Sequence, residues 1–117
     1  MQPEERDLAY LWDMREFARD ARSMAEGLTS ERLRSARMEQ FALSKAVELI
    51  GEAASRVSQP FRDAHPEIPW RAIIGMRNRL VHDYRGIDLS RVWDIVQRDL
   101  PPLIDALDRL IPPPPAE

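Results

Sequence analysis

Leu11, Met14, Ala18, Ala21 and Ala25 follow one another at intervals of three or four residues, and similar spacing recurs through most of the chain. Such spacing places apolar side chains on one stripe of an α-helix. No segment alternates with the period of two that marks a half-buried strand, so the fold class is all-α, helices packed on helices. A chain of 117 residues can enclose one core and is too short for two ordinary domains.

The first helix is expected from about Glu4 to Ala25, with Gly27 as its stop. Thr29 or Ser30 can cap a long second helix, because a hydroxyl oxygen there accepts from amides that lack partners in the first turn. Met38, Ala42, Ala46, Leu49, Ala53 and Val57 form its expected buried face, with Phe41 and Ile50 beside them. A break is allowed for near Ser35, and Pro60 ends the helix. The stretch from Pro60 to Pro69 has three prolines and no periodicity, and reads as an ordered surface connection.

A third helix starts at Pro69 or Trp70, turns Ile73, Met76 and Leu80 inward and fades near His82. Asp88 or Ser90 caps a fourth, whose stripe is Val92, Val96, Leu103, Leu107 and Leu110. Pro101 and Pro102 interrupt it. Pro102 lacks an N–H and crowds the carbonyl one turn back, so a kink or restart is expected. Four amphipathic helices with short connections bury their stripes best as an antiparallel up-and-down bundle over residues 1–111, leaving 112–117 as a proline-rich tail.

Charge is unevenly spread. Residues 56–91 hold seven arginines against Asp63, Glu67, Asp83 and Asp88, whereas the first thirty residues are acidic. The basic stretch is where an anion is expected to bind. The chain as a whole has a net charge of −3, which argues against a bulk nucleic-acid coat. The chain has no cysteine, which rules out a disulfide scaffold, a thiolate metal site and thiol catalysis. Without a long apolar run or a charged-then-apolar leader, neither a membrane span nor a signal peptide is expected, and a cytoplasmic location follows.

Within the basic stretch, Arg77-Asn78-Arg79-Leu80-Val81-His82-Asp83-Tyr84 gathers one of the two histidines, two arginines, an amide and a phenol at the end of a short helix. Imidazole exchanges protons near neutrality. Guanidinium holds phosphate oxygens through two parallel hydrogen bonds. Together they are sufficient parts for cutting RNA at its 2′-hydroxyl without a metal. An arginine and a histidine five places apart are, alone, a common surface pattern.

The wider run, with Trp70, Gly75, Arg77-Asn78 and His82-x-Tyr84 in that order, resembles the signature region of the HepT-like branch of the HEPN superfamily. Gly51-Glu52-Ala53-Ala54 and Val92-Trp93 match as well, so the likeness covers roughly residues 8–110. It implies a helical homodimer in which two Arg-x4-His motifs face a shared cleft, and a metal-independent endoribonuclease that needs no cofactor. It further implies the toxin of a type VII toxin–antitoxin pair, silenced when a minimal nucleotidyltransferase antitoxin transfers AMP from ATP to the motif tyrosine. Carried over by position, Arg77 stabilises charge on the phosphate, Asn78 orients the site, His82 is the general base or acid, and Tyr84 is the AMPylated residue. The implied partners are RNA, with tRNA and mRNA both open, a second copy of the chain, and the antitoxin, with no membrane.

Other readings compete at single residues. His82 can simply bond free carbonyls at a helix end, and Tyr84 can seal the edge of the bundle. Arg71, Arg79 and Arg85 are candidates for RNA-backbone contacts, or solvated residues. His65 reads as a surface residue, and Glu52 as an exposed helical glutamate rather than a catalytic one. Trp70 and Trp93 lie beside apolar stripes and read as core or dimer contacts rather than base-stacking platforms. There is no Gly-rich phosphate loop, metal-ligand spacing or serine-centred nucleophile motif. The competing function is a non-catalytic nucleotide- or RNA-binding module of a nucleotidyltransferase, using the same cluster only to hold phosphate.

Overall fold

The computed structural model describes residues 4–81 and 88–113, and of residues 77–81 the backbone alone. The chain runs through α1 (Glu5–Ala25), α2 (Ser30–Leu33), α3 (Arg37–Arg56), α4 (Gln59–Ala64), α5 (Trp70–Val81), α6 (Leu89–Asp94), a π-helical segment (Ile95–Asp99) and α7 (Leu100–Leu110). The described residues include no strand, and none of their helices is long and apolar enough to cross a membrane.

Helix α1 matches its expected stripe: Leu11, Met14, Ala18, Ala21 and Ala25 are all buried. Glu5 and Asp7 in its first turn and Arg22 in its last complement the helix dipole. Thr29 Oγ1 accepts from the Arg32 amide at 3.1 Å and starts α2, which ends after one turn. The break falls at residues 34–36, where the expectation allowed one. Gln40 Nε2 bridges it, donating to the carbonyls of Leu33 and Arg34 at 2.8 and 3.0 Å.

The buried face of α3 is rotated from the expected one. Leu43, Ala46, Val47, Ile50, Ala53 and Ala54 are inside. Met38 is 76% exposed and Phe41 52% exposed, while Ala42 and Leu49 are only half-buried. Phe41 instead lies under the Arg37 guanidinium, 5.3 Å from its ring centroid, a cation–π contact at the surface.

Pro60 does not close α3, which has already ended at Arg56. It occupies the first turn of α4, where its missing N–H has no partner to lose. Ser58 organises this junction. Its Oγ accepts from the Phe61 amide at 3.4 Å, and its own amide and hydroxyl donate to Asp7 Oδ1 at 2.8 Å and Oδ2 at 2.6 Å. Asp7, 5% exposed, is thereby satisfied across the start of α1 and the end of α3, which run antiparallel.

Asp88 Oδ1 caps α6 through the Arg91 amide at 3.1 Å, and α6, the π segment and α7 form one continuous helical path. Val92, Ile95, Val96, Leu100, Leu103 and Leu107 are buried along it, and Leu110 is half-buried. The widened turn is how the helix accommodates Pro101 and Pro102, which cannot donate to carbonyls behind them. The Leu100 amide bonds to the Ile95 carbonyl, five residues back. For the next carbonyl, Val96, the equivalent donor would be proline. Arg22 Nη1 from α1 fills that place at 3.3 Å and also reaches Gln97 Oε1 at 2.8 Å. Nearby, Arg15 and Arg19 both reach Asp108 Oδ1, at 3.1 and 3.0 Å, tying α1 to α7.

Replacing Asp7 with Ala removes a charged acceptor from a buried site and strands the Ser58 amide. The expected cost is about 2–3 kcal/mol. Urea unfolding should show this as a lower midpoint with an unchanged slope.

Candidate functional site on helix α5

The α5 helix carries the first two motif residues, and its N-terminal half is firmly held. The Trp70 amide bonds to the Ile68 carbonyl at 2.8 Å and its Nε1 donates to the His65 carbonyl at 2.9 Å. Phe61 of α4 meets Trp70 edge-on, with ring centroids 6.3 Å apart. Trp70, Ile73 and Met76 are buried, and α5 packs along α3. Arg77 and Asn78 therefore start the last turns of a helix whose other end is fixed by aromatic packing and hydrogen bonds. Their side chains and that of Arg79, together with the whole of His82, Tyr84 and Arg85, lie outside what the structure describes, so the pairing of Arg77 with His82 does too. Among the described candidates, Arg71 is exposed on the first turn of α5.

Two recesses flank this helix. Between α4 and α5 lies an open groove of about 510 Å³ walled by Arg62 and Asp63 on one side and Arg71, Ile74 and Gly75 on the other. Gln59 Nε2 donates to Asp63 Oδ1 at 2.8 Å. Arg62 is half-buried, and its Nε is buried without a hydrogen-bond partner among the described residues. Neither Arg62 nor Arg71 is paired with a described carboxylate. At 100° per residue, Arg71, Ile74, Gly75 and position 78 share one face, so the groove follows α5 toward Asn78. The opposite recess, about 220 Å³, is mainly apolar, with Ile68, Met76 and Leu103 in its wall beside Glu67 and Asp99. Two carboxylates make it a poor phosphate site.

His65 is more integrated than a surface residue. Its ring lies 4.3 Å from that of Phe61, and its Nδ1 is 3.2 Å from Glu67 Oε2. The Glu67 carboxyl is held below its ordinary range, mainly by a backbone hydrogen bond at Glu67 itself and further by His65. Glu52 is half-buried and pairs with Arg56 at 3.2 Å. The Arg56 guanidinium is held above its ordinary range, first by a hydrogen bond with Tyr10 and then by Glu52. Tyr10, Glu52 and Arg56 thus form a network across α1 and α3. Among the tryptophans, Trp70 is core, Trp93 packs partly against it, and Trp12 is 49% exposed. No three His, Cys, Asp or Glu side chains lie together as metal ligands among the described residues.

Arg62 is the groove residue that sequence reasoning passed over. It sits in a stretch read as an ordered surface connection without a helix, and recognition of the Ser58 cap would have placed it on a helix facing α5.

A family profile described as "Ribonuclease HepT-like" matches residues 14–110. A Methanocaldococcus jannaschii protein named "Putative RNase" is 36% identical over 93 residues, covering 80% of this chain and 85% of that one. A Thermococcus cleftensis protein named "Probable ribonuclease HepT" is 42% identical over 71 residues, 61% of this chain and 64% of its own. Another Methanocaldococcus jannaschii "Putative RNase" is 28% identical over 103 residues, 88% of this chain and 85% of that one. No solved structure gives a significant match.

Gly75 is unexplained by the packing around it. A Cβ built there meets nothing within 4 Å among the described residues, and its backbone φ is not in the left-handed region. A helix-interior glycine costs about 1 kcal/mol relative to alanine. Gly75→Ala is therefore expected to stabilise the chain by about 0.5–1 kcal/mol, read as a rise in the urea midpoint. An unchanged or lower midpoint would mean that this position is packed after all.

Proposed function

The chain belongs to the HepT-like ribonuclease family, and from that premise we propose that it is a metal-independent endoribonuclease, the toxin of a type VII toxin–antitoxin pair. The observation that carries this reading is the Arg77-x4-His82-x-Tyr84 motif, opening on the last turns of α5 within a chain matched over most of its length by the family. His82 takes the proton from an RNA 2′-hydroxyl. The 2′-oxygen attacks the adjacent phosphorus, the bond to the 5′-oxygen breaks, and the products are a 2′,3′-cyclic phosphate and a 5′-hydroxyl. Arg77 offsets the charge that builds on the phosphate oxygens, and Asn78 orients the site. Protonation of the leaving oxygen falls to His82 of the partner subunit, which is why the reading requires a homodimer with a shared cleft. Arg71, Arg79 and Arg85 supply backbone contacts to the RNA.

Control acts at Tyr84. Its hydroxyl attacks the α-phosphorus of ATP held by the nucleotidyltransferase antitoxin, pyrophosphate leaves, and AMP stays on the phenol. The added AMP is an anion within the same short stretch of sequence as Arg77 and Arg79, and competes there with RNA phosphate.

In EDTA, the unmodified dimer should cleave single-stranded RNA to ends bearing cyclic phosphate. His82→Ala should lower the rate about 10²–10⁴-fold with RNA binding retained, and Arg77→Ala about 10²–10³-fold. Protein made with its antitoxin should gain the mass of AMP at Tyr84 and lose cleavage. RNA that is bound and never cut, or a chain that stays monomeric at micromolar concentration in light scattering, would replace this reading with a non-catalytic binding module.

A further inference from the structure

We propose that the groove between α4 and α5 is the track along which single-stranded RNA backbone reaches the motif, with Arg62 and Arg71 as opposing phosphate contacts. The inference rests on the ribonuclease reading for its ligand, and on three observations of the groove for its place.

The first is charge. Arg62 and Arg71 stand on facing helices and share one groove, and neither is neutralised by a described carboxylate. Guanidinium groups on both walls suit a polyanion passing between them better than a single bound ion. Asp63 is the one acid in the wall, and Gln59 already donates to it. The second is the unpartnered Arg62 Nε. The side chain rests on the protein with its Nε buried and unbonded among the described residues, which costs free energy unless the guanidinium gains something at the groove.

The third is Gly75. Neither backbone conformation nor internal packing among the described residues calls for glycine there, and it sits in the groove wall on the α5 face shared with Arg71 and position 78. Absence of a side chain lets a ligand backbone lie close against the helix. From Arg71 to position 78 the face runs about 10 Å, a length that a few nucleotides of single strand cover. Sugar and phosphate contacts of this kind position a strand without reading its sequence.

The test uses the full-length chain and a fluorescently labelled single-stranded 2′-O-methyl oligoribonucleotide, whose blocked 2′-oxygens allow binding to be read without cleavage. Arg62→Gln with Arg71→Gln should weaken binding about fivefold per arginine near 0.1 M salt, and make the plot of log affinity against log salt shallower by about 0.7 per arginine. Asp63→Asn should tighten binding, a change of sign that damage to the fold would not produce. Gly75→Leu should weaken binding while urea unfolding shows the chain still folded. A slope identical to wild type in the double variant overturns the track, whatever happens to affinity. Wild-type RNA affinity and slope combined with failure to engage the AMP-transferring partner also overturns it, making the groove a protein interface. The two readings separate cleanly. Cleavage by the wild-type chain with an unchanged slope in the double variant sinks the track alone, whereas binding with the altered slope but no cleavage sinks the enzyme alone.

Discussion

The two longest helices, α1 and α3, carry the rest of the structure, and each of them buries three alanines. Ala18, Ala21 and Ala25 of α1 and Ala46, Ala53 and Ala54 of α3 are all buried, and α1 with α3 forms the most extensive helix contact of the fold. Asp7 fixes the register of that pair through both donors of Ser58. Ser58 in turn starts α4, α4 brings Phe61 against Trp70, and Trp70 anchors α5. The placement of the motif helix thus descends, contact by contact, from the packing of α1 on α3.

Where the amphipathic contrast was strong, the chain was legible. The α1 stripe has charged residues on either side and came out residue for residue, while Asp88 and Trp70 were each one of two positions expected for the α6 cap and the α5 start. α3 was harder because apolar side chains surround it: Met38, Phe41 and Leu49 compete with Leu43, Val47 and Ile50, and periodicity alone does not choose between them. Ala46 and Ala53 belong to both faces, so the choice falls to Leu43, Val47 and Ile50, which are buried while Met38 and Phe41 are exposed. Proline misled at Pro60, whereas the restart expected at Pro101 and Pro102 is present as α7 after the π segment. Pro60 opened a helix because a serine stood two residues before it, and Pro101 with Pro102 was absorbed by a widened turn and an arginine from another helix. The serine cap is local, whereas the arginine comes from a helix distant in sequence.

The candidate site was legible as chemistry and only partly as geometry. The residue types in the motif pointed to phosphodiester chemistry, and the family match agrees with that as far as a HepT-like ribonuclease. The facing wall of the groove was not read, because Arg62 belongs to a short helix whose Ser58 cap went unrecognised between the prolines. One helix, α5, consequently serves two surfaces of opposite character: an arginine-bearing groove on one flank and an apolar, carboxylate-edged recess on the other. An anion is steered to the first and repelled from the second.

The three indoles occupy three different surroundings, with Trp12 half in water, Trp93 partly covered and Trp70 buried at the foot of the groove. An excited indole emits toward the blue in apolar surroundings and toward the red in water. Trp70 therefore makes the motif helix optically self-reporting: a shift or quenching of its emission registers events at α4 and α5 without any label, against a Trp12 signal set by solvent.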